Sequence, residues 1–331
     1  MDDNGQRGEK QGEAHLAASG KDHRGTDQAF FNETSTNGHE QIMKMLRDKD
    51  WSDHHECDRC CNDTLRVASA EGQIDIVQVL LDNGMDADTD LGDWGSAINI
   101  AAYNGHQDIV QLLFDRNADI HSDRGAHGTP LHAAASAGHS DIVQMLLDSG
   151  ADIEATGGSI EGTALQLASL SGAAGVVRLL LDGAADVYAQ CGPTGNALQA
   201  AILGNNMAIV QILLDAGADV NAPAGEFGTA LQLATCDGHE AMVRLLLSRG
   251  ADTNAEGDPA FDALWNACAK GHESIVQLLL ENGARANSYG EDNSSALQVA
   301  SAHCHYGVVQ ILLGHGADVL AQDKTGDTAE S

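Results

Sequence analysis

The densest group of chemistry-bearing side chains is Asp53, His54, His55, Glu56, Cys57, Cys60 and Cys61. Cys and His at such close spacing suit zinc. No second ligand pair follows at a suitable distance, so zinc held by His54, His55, Cys57, Cys60 and Cys61 is the lesser reading and an ordinary exposed loop the favoured one. Asp86, Asp88 and Asp90 begin like a calcium loop, but its sixth position is Leu91 rather than Gly and its twelfth is Ala97 rather than Glu. Five of the histidines, His106, His139, His239, His272 and His305, are spaced by 33 residues or by about three times that interval. A catalytic group is not built many times over, so these read as structural. The chain has no G-x-x-x-x-G-K-[ST] phosphate loop, and no Ser/His/Asp or Cys/His pair stands out. Catalytic residues and a cofactor are therefore not expected.

The interval is the period of the whole chain. The stretch Gly162 to Val187 reads as a short helix, a Gly turn, a second helix and a second turn. It recurs about an apolar anchor: Leu65, Ile98, Leu131, Leu165, Leu198, Leu231, Leu264 and Leu297, spaced by 33 or 34 residues. Gly, Asn or, once each, Cys304 and Ala184 stand seven and nineteen residues past each anchor, where a left-handed residue ends a helix. Such a period makes a solenoid in which each repeat buries its apolar face on its neighbours. The first helix of each unit starts near Thr64, Ser96, Thr129, Thr163, Asn196, Thr229, Asp262 or Ser295, side chains that accept a bond from free first-turn amides. Small residues such as Ala68, Ala101 and Ala134 let helices approach closely. Pairs such as Ile142-Val143 and Leu146-Leu147 give the second helix one buried face.

Net charge is −32, from 49 acidic and 17 basic residues. That balance argues against nucleic acid and anionic membrane and favours a basic partner. The N-terminus lacks the apolar core of a secretory signal, and no apolar run reaches the ~18 residues of a membrane span. Seven irregularly placed cysteines then point to reduced thiols in cytoplasm or nucleus. Residues 1–28 read as a disordered tail. Residues 29–61 read as a degenerate capping repeat with a polar outer face, 62–322 as eight repeats, and 323–331 as the start of a truncated ninth.

The motif Thr129-Pro130-Leu131-His132-Ala133-Ala134, with Gly138-His139 and Gly150-Ala151-Asp152, resembles the ankyrin-repeat family, and the likeness runs over about residues 30–329. Most units carry Ala for Pro and Gln for His, as in Ala164-Leu165-Gln166; this dialect is similar to arrays of filamentous fungi. The resemblance implies an all-α solenoid of antiparallel helix pairs with projecting β-hairpin fingers, near 85–95, 118–128, 151–162, 185–195, 218–228, 251–261 and 284–294. It also implies protein binding through finger tips and the concave face of the first helices. The Asp53–Cys57 run resembles the Asp-His-His-Cys run of protein palmitoyltransferases. Glu56 interrupts it, and the membrane helices of those enzymes are missing.

Departures from the repeat mark the candidate contact residues. Trp94, His127 and Phe227 share one finger register, Tyr103 and Leu170 replace small residues on the concave side, and Trp265 follows its anchor where Gln or His is usual. Exposed aromatics are enriched in binding hot spots. Asp86, Asp88, Asp90 and Asp93 crowd the finger beside Trp94. The expectation is a monomeric, non-enzymatic scaffold for a protein with a basic surface. The alternatives are a coregulator docking a DNA-bound factor, and an array regulating a separate NTPase or kinase.

Overall fold

The computed structural model describes residues 57–158, 161–223, 228–255, 262–290 and 294–320, with only the backbone of 57–60. The expected tail, the capping repeat up to residue 56, His54, His55, Phe227 and the start of the ninth repeat lie outside the described residues. The described residues fall into two units, through Asp186 and from Val187.

The first unit holds four helix pairs: α1 (Cys57–Glu71) with α2 (Ile74–Asp82), α3 (Ala97–Asn104) with α4 (Gln107–Asp115), α5 (Pro130–Ala137) with α6 (Ser140–Asp148), and α7 (Ala164–Ser171) with α8 (Ala174–Asp182). The second holds α9 (Ala197–Leu203) with α10 (Met207–Asp215), α11 (Ala230–Cys236) with α12 (Glu240–Ser248), α13 (Ala263–Lys270) with α14 (Glu273–Glu281), and α15 (Ala296–Ala302) with α16 (Tyr306–Gly314). First helices pack on first helices and second on second within each unit. Leu65, Ile98, Leu131 and Leu165 are buried at the centre of the first unit, and Ala68, Ala101, Ala134 and Ala168 are wholly covered between its helices. Burying one such Leu or Ile stabilises by roughly 1.5–3 kcal/mol.

Capping carries more of the design than the N-cap residue alone. Thr129, Thr163, Asn196, Thr229 and Ser295 each accept a backbone N–H from the residue three on. That residue, His132 or one of the glutamines 166, 199, 232 and 298, accepts the N-cap's own N–H in return. Two orphan amides are thus satisfied reciprocally. Ser96 departs from the expectation: its hydroxyl donates to Asn99 Oδ1 at 2.6 Å and accepts no first-turn backbone N–H. Thr64 departs too, because α1 starts at Cys57 and makes it an interior residue. The five residues Cys57–Cys61 are therefore helix rather than finger.

The glycines seven past the anchor have a second duty. The His106 Nε2–H donates to the Ala70 carbonyl at 2.8 Å, His139 to Tyr103 at 3.0 Å and His305 to Ala269 at 3.1 Å, each tying one repeat to the one before. A Cβ on Gly72, Gly105, Gly238 or Gly271 would lie 2.6–2.7 Å from the next repeat's His106, His139, His272 or His305 ring. At four of the five register histidines a glycine leaves the ring its room; His239 follows Asn205 instead, a left-handed non-glycine at φ 52°.

Ala184 and Cys304 do sit in the left-handed region, at φ 66° and 58°. A side chain there costs about 1–2 kcal/mol, partly offset by the wider freedom of glycine when unfolded. Ala184→Gly and Cys304→Gly should each raise the thermal midpoint. Unchanged or lower midpoints in both would show that these turns carry no strain.

The fingers are less sheet-like than expected. Among the described residues one strand pair forms, β1 (Thr156–Gly157) against β2 (Gly162–Thr163), with Thr156 opposite Thr163. Elsewhere the fingers close without a strand pair, as by Leu91 N–H to the Gly95 carbonyl at 2.8 Å and Cys191 N–H to Gly195 at 3.0 Å, or by an isolated antiparallel bridge between Tyr289 and Ser295. A 3₁₀ turn over Gly92–Trp94 and positive φ at Gly92 and Gly95 keep the 85–95 finger from extending.

Candidate functional site

Three of the candidate residues come together in the first unit. The Ala126 N–H donates to the Asp93 carbonyl at 2.8 Å, joining the 85–95 and 118–128 fingers. Gly95 and Gly125, at φ 79° and 85°, let these backbones touch: a Cβ on Gly125 would lie 2.3 Å from the Gly95 nitrogen. The next residues, Trp94 and His127, are thereby set side by side, with ring centroids 5.7 Å apart at a 35° tilt. Tyr103, in the last turn of α3, stacks on His127 at 4.2 Å and 28°. All three rings are half-buried. Such ring pairs contribute about 0.5–1.5 kcal/mol beyond their burial. The Tyr103 carbonyl is also the acceptor of His139, so the cluster is braced from the following repeat.

The other candidates lie apart. Leu170 occupies the Tyr103 register on α7, two helix pairs along, and is half-buried. Leu203, a third large side chain in that register, ends α9 in the second unit and is likewise half-buried.

Trp265 is in the second unit and has an internal role. Its Nε1–H donates to the Ser294 carbonyl at 3.0 Å, and its ring lies where a Cβ on Gly290 would be. The residue after the anchor works in the same way elsewhere. His132 donates to the Ala155 carbonyl at 2.8 Å, Gln199 to Gly228 at 2.5 Å, and Asn99 to Gly128. Trp265 is thus a strut to the next finger, with Asp262 capping its helix by accepting the Trp265 amide at 2.7 Å. The signal for this register was present, since Thr-x-x-Gln is a capping-box spelling. Its second partner, 23 to 29 residues on, was not.

The acidic finger is also partly internal. Asp86 accepts the Asp88 N–H at 3.0 Å, Asp90 accepts that of Gly92 at 2.9 Å, and Asp88 accepts that of Asp119 in the next finger at 2.8 Å. Asp119, Asp152, Asp219, Asp252 and Asp318 repeat the Asp86 turn. Carboxylates that short-circuit a turn in this way favour the bend over extended chain. Asp93 is exposed beside Trp94. A charge test should therefore use Asp93, because reversing Asp88 or Asp90 would also break backbone bonds.

Among the described residues no cluster of three or more His, Cys, Asp or Glu could hold a metal. Cys61 is buried on α1 and outside any disulfide. Burial, and then the charge of Asp237, push the Cys236 thiol up; burial, and then Asp262, push Cys268 up further. Neither is poised as a thiolate nucleophile. Among the described residues no helix is long and apolar enough to cross a membrane.

His132 gives the capping register a pH signature. Burial holds its pKa below the ordinary 6.5, against the raising effect of bonds to the Ala155 and Gly162 backbone. The folded state thus prefers neutral imidazole, so this stability is present above the unfolded pKa and is lost as pH falls through it towards the folded value. Lowering the pH from about 7.5 to about 5 should weaken the wild type more than His132→Gln, which carries the residue used in four other repeats. Equal loss in both, measured by urea unfolding at each pH, would contradict this.

The chain matches the family described as ankyrin repeats (3 copies) over residues 31–124, 65–157, 98–191, 185–257 and 256–323. Among solved structures it is similar to the ankyrin-repeat domain of Bcl-3, described as a unique member of the IκB protein family. The identity is 28% and the TM-score 0.57, with 70% of this chain and 100% of that one covered. A comparison with curated proteins returned no match. Helix pairs, reciprocal caps and inter-repeat histidines at one period, with a family match running from residue 31 to 323, show that the chain belongs to the ankyrin-repeat family.

Proposed function

We propose that this protein is a non-enzymatic interaction module. It holds a protein partner with a basic surface against the first-helix ends and finger tips of its first unit. The observation that carries this reading is the cluster of Trp94, Tyr103 and His127. Two fingers and a helix converge to build it, although the repeat itself needs none of the three rings: the registers of Tyr103 and Trp94 hold Ser136 and Thr194 elsewhere. Half-buried rings with an exposed carboxylate alongside are suited to a desolvated contact reached through a steering field. The net charge of −32 sets the sign of that field. Ankyrin repeats in general act as interaction modules, which supports the class of function but not the partner's identity.

Photo-crosslinking tests the reading. Benzoylphenylalanine replaces His127 in one protein and Gln144, on the exposed side of α6, in another. Ultraviolet irradiation in extract of the source cell should give a discrete protein adduct from position 127 that position 144 does not give. Identical adduct patterns from the two positions would refute a partner site at the rings.

A further inference from the structure

Resting on that reading, we propose that the Trp94–His127–Tyr103 cluster is a seat for a guanidinium group, so that the partner presents an arginine there. Aromatic faces carry partial negative charge and attract a cation placed over them. The ring spacings decide where such a cation sits. A planar group inserted between two rings needs two contacts of ~3.5 Å, about 7 Å between centroids. The observed 4.2 and 5.7 Å leave no such gap. A guest must therefore continue the stack on an outer face of Tyr103 or Trp94. That geometry suits a flat, delocalised, weakly hydrated guanidinium better than a compact, strongly hydrated ammonium.

The charges around the rings agree. Exposed Asp93 immediately precedes Trp94 and supplies a counter-ion. The cation of the adjoining finger is already engaged: Arg124 donates to the Asp88 carbonyl at 3.1 Å. An aliphatic guest would cover ring surface but would leave the Asp93 carboxylate losing water with no charge in return. A cationic guest satisfies both.

The test uses the full chain with 5-fluorotryptophan, which gives one ¹⁹F signal for each of Trp51, Trp94 and Trp265. The probes are the N-acetyl methylamides of arginine, lysine, citrulline and norleucine. Arginine should shift the Trp94 signal saturably and leave Trp265 unmoved. It should bind at least about threefold tighter than lysine and about tenfold tighter than citrulline, its uncharged near-isostere. Asp93→Asn should weaken the arginine effect at least about threefold. Tyr103→Ser, which installs the residue found in the same register at Ser136, should do the same, with a lowered thermal midpoint but a folded protein at the assay temperature. Citrulline or norleucine matching arginine, no saturable shift, or Trp94 and Trp265 moving together would overturn the guanidinium seat. A position-127 crosslink alongside any of those results would leave the interaction module standing and remove only the cation.

Discussion

Gly105→Ala is expected to destabilise the first unit by about 2–4 kcal/mol, while Gly150→Ala, also at a helix end, costs only about 1–2 kcal/mol. Both glycines are left-handed, at φ 84° and 89°, so both substitutions carry the same backbone strain. They differ in what the new methyl meets. At Gly150 nothing lies within 4 Å, whereas at Gly105 the His139 ring is 2.6 Å away. The ring must move, and its bond to the Tyr103 carbonyl goes with it, leaving a part-buried acceptor without its donor at about 0.5–1.5 kcal/mol. Removing the ring should return part of the loss, so Gly105→Ala with His139→Ala should be less than the sum of the single changes. Urea unfolding followed by circular dichroism measures all four proteins. A repeat array need not unfold in one step, so midpoints of the first transition are compared. Equal losses from Gly105→Ala and Gly150→Ala would mean that the histidine register does not depend on glycine.

The second large effect is on recognition. Once a partner is in hand, Tyr103→Ala should raise its dissociation rate by about 10–100-fold, the range of a hot-spot truncation near 2 kcal/mol. The association rate should hardly change, because a ring at the centre of a contact acts after encounter. Asp93→Lys should do the reverse. It should slow association several-fold at low salt and matter less at high salt, where screening shortens to ~8 Å or below. Trp265→Ala belongs to another class. It removes a donor from the Ser294 carbonyl and a ring from over Gly290, so it should lower stability and leave the kinetics of the folded protein alone. Surface plasmon resonance at two salt concentrations, with thermal midpoints for each variant, separates these outcomes. Dissociation unchanged in Tyr103→Ala, or association indifferent to both salt and Asp93→Lys, would reduce the acidic edge to a solubility device.

The fold was legible in the sequence because its information is periodic and local. A Leu or Ile anchor every 33 or 34 residues, with Gly or Asn at two offsets, specifies helix, turn, helix and turn without reference to anything distant. The same locality made Asn117, Ala184, Asn205 and Cys304 readable as left-handed turns, and all four have positive φ. The residue after the anchor was half legible: Thr229-x-x-Gln232 spells a reciprocal cap, but the bond from Gln232 to the Ala255 carbonyl at 3.5 Å crosses to the next finger. Register alone could not assign Trp265 its strut, because a large ring after an anchor reads equally as surface or as packing. Nor could charge counting show that Asp86, Asp88 and Asp90 spend their carboxylates on backbone amides, since a composition does not say which carboxylates face inward.

The sequence by itself determined the repeat, its apolar anchors, its helix ends and the acidic balance, each a property of residues within one period. Only the tertiary structure decided which departures from the repeat meet. Trp94 and His127 share a register, and Tyr103 stands on a helix between them in the chain. Their convergence depends on one backbone bond from Ala126 to Asp93 and on two glycines that let neighbouring fingers touch. Contacts of that kind join residues about one repeat apart in the chain, and their geometry depends on how repeats stack, which residue spacing alone does not state.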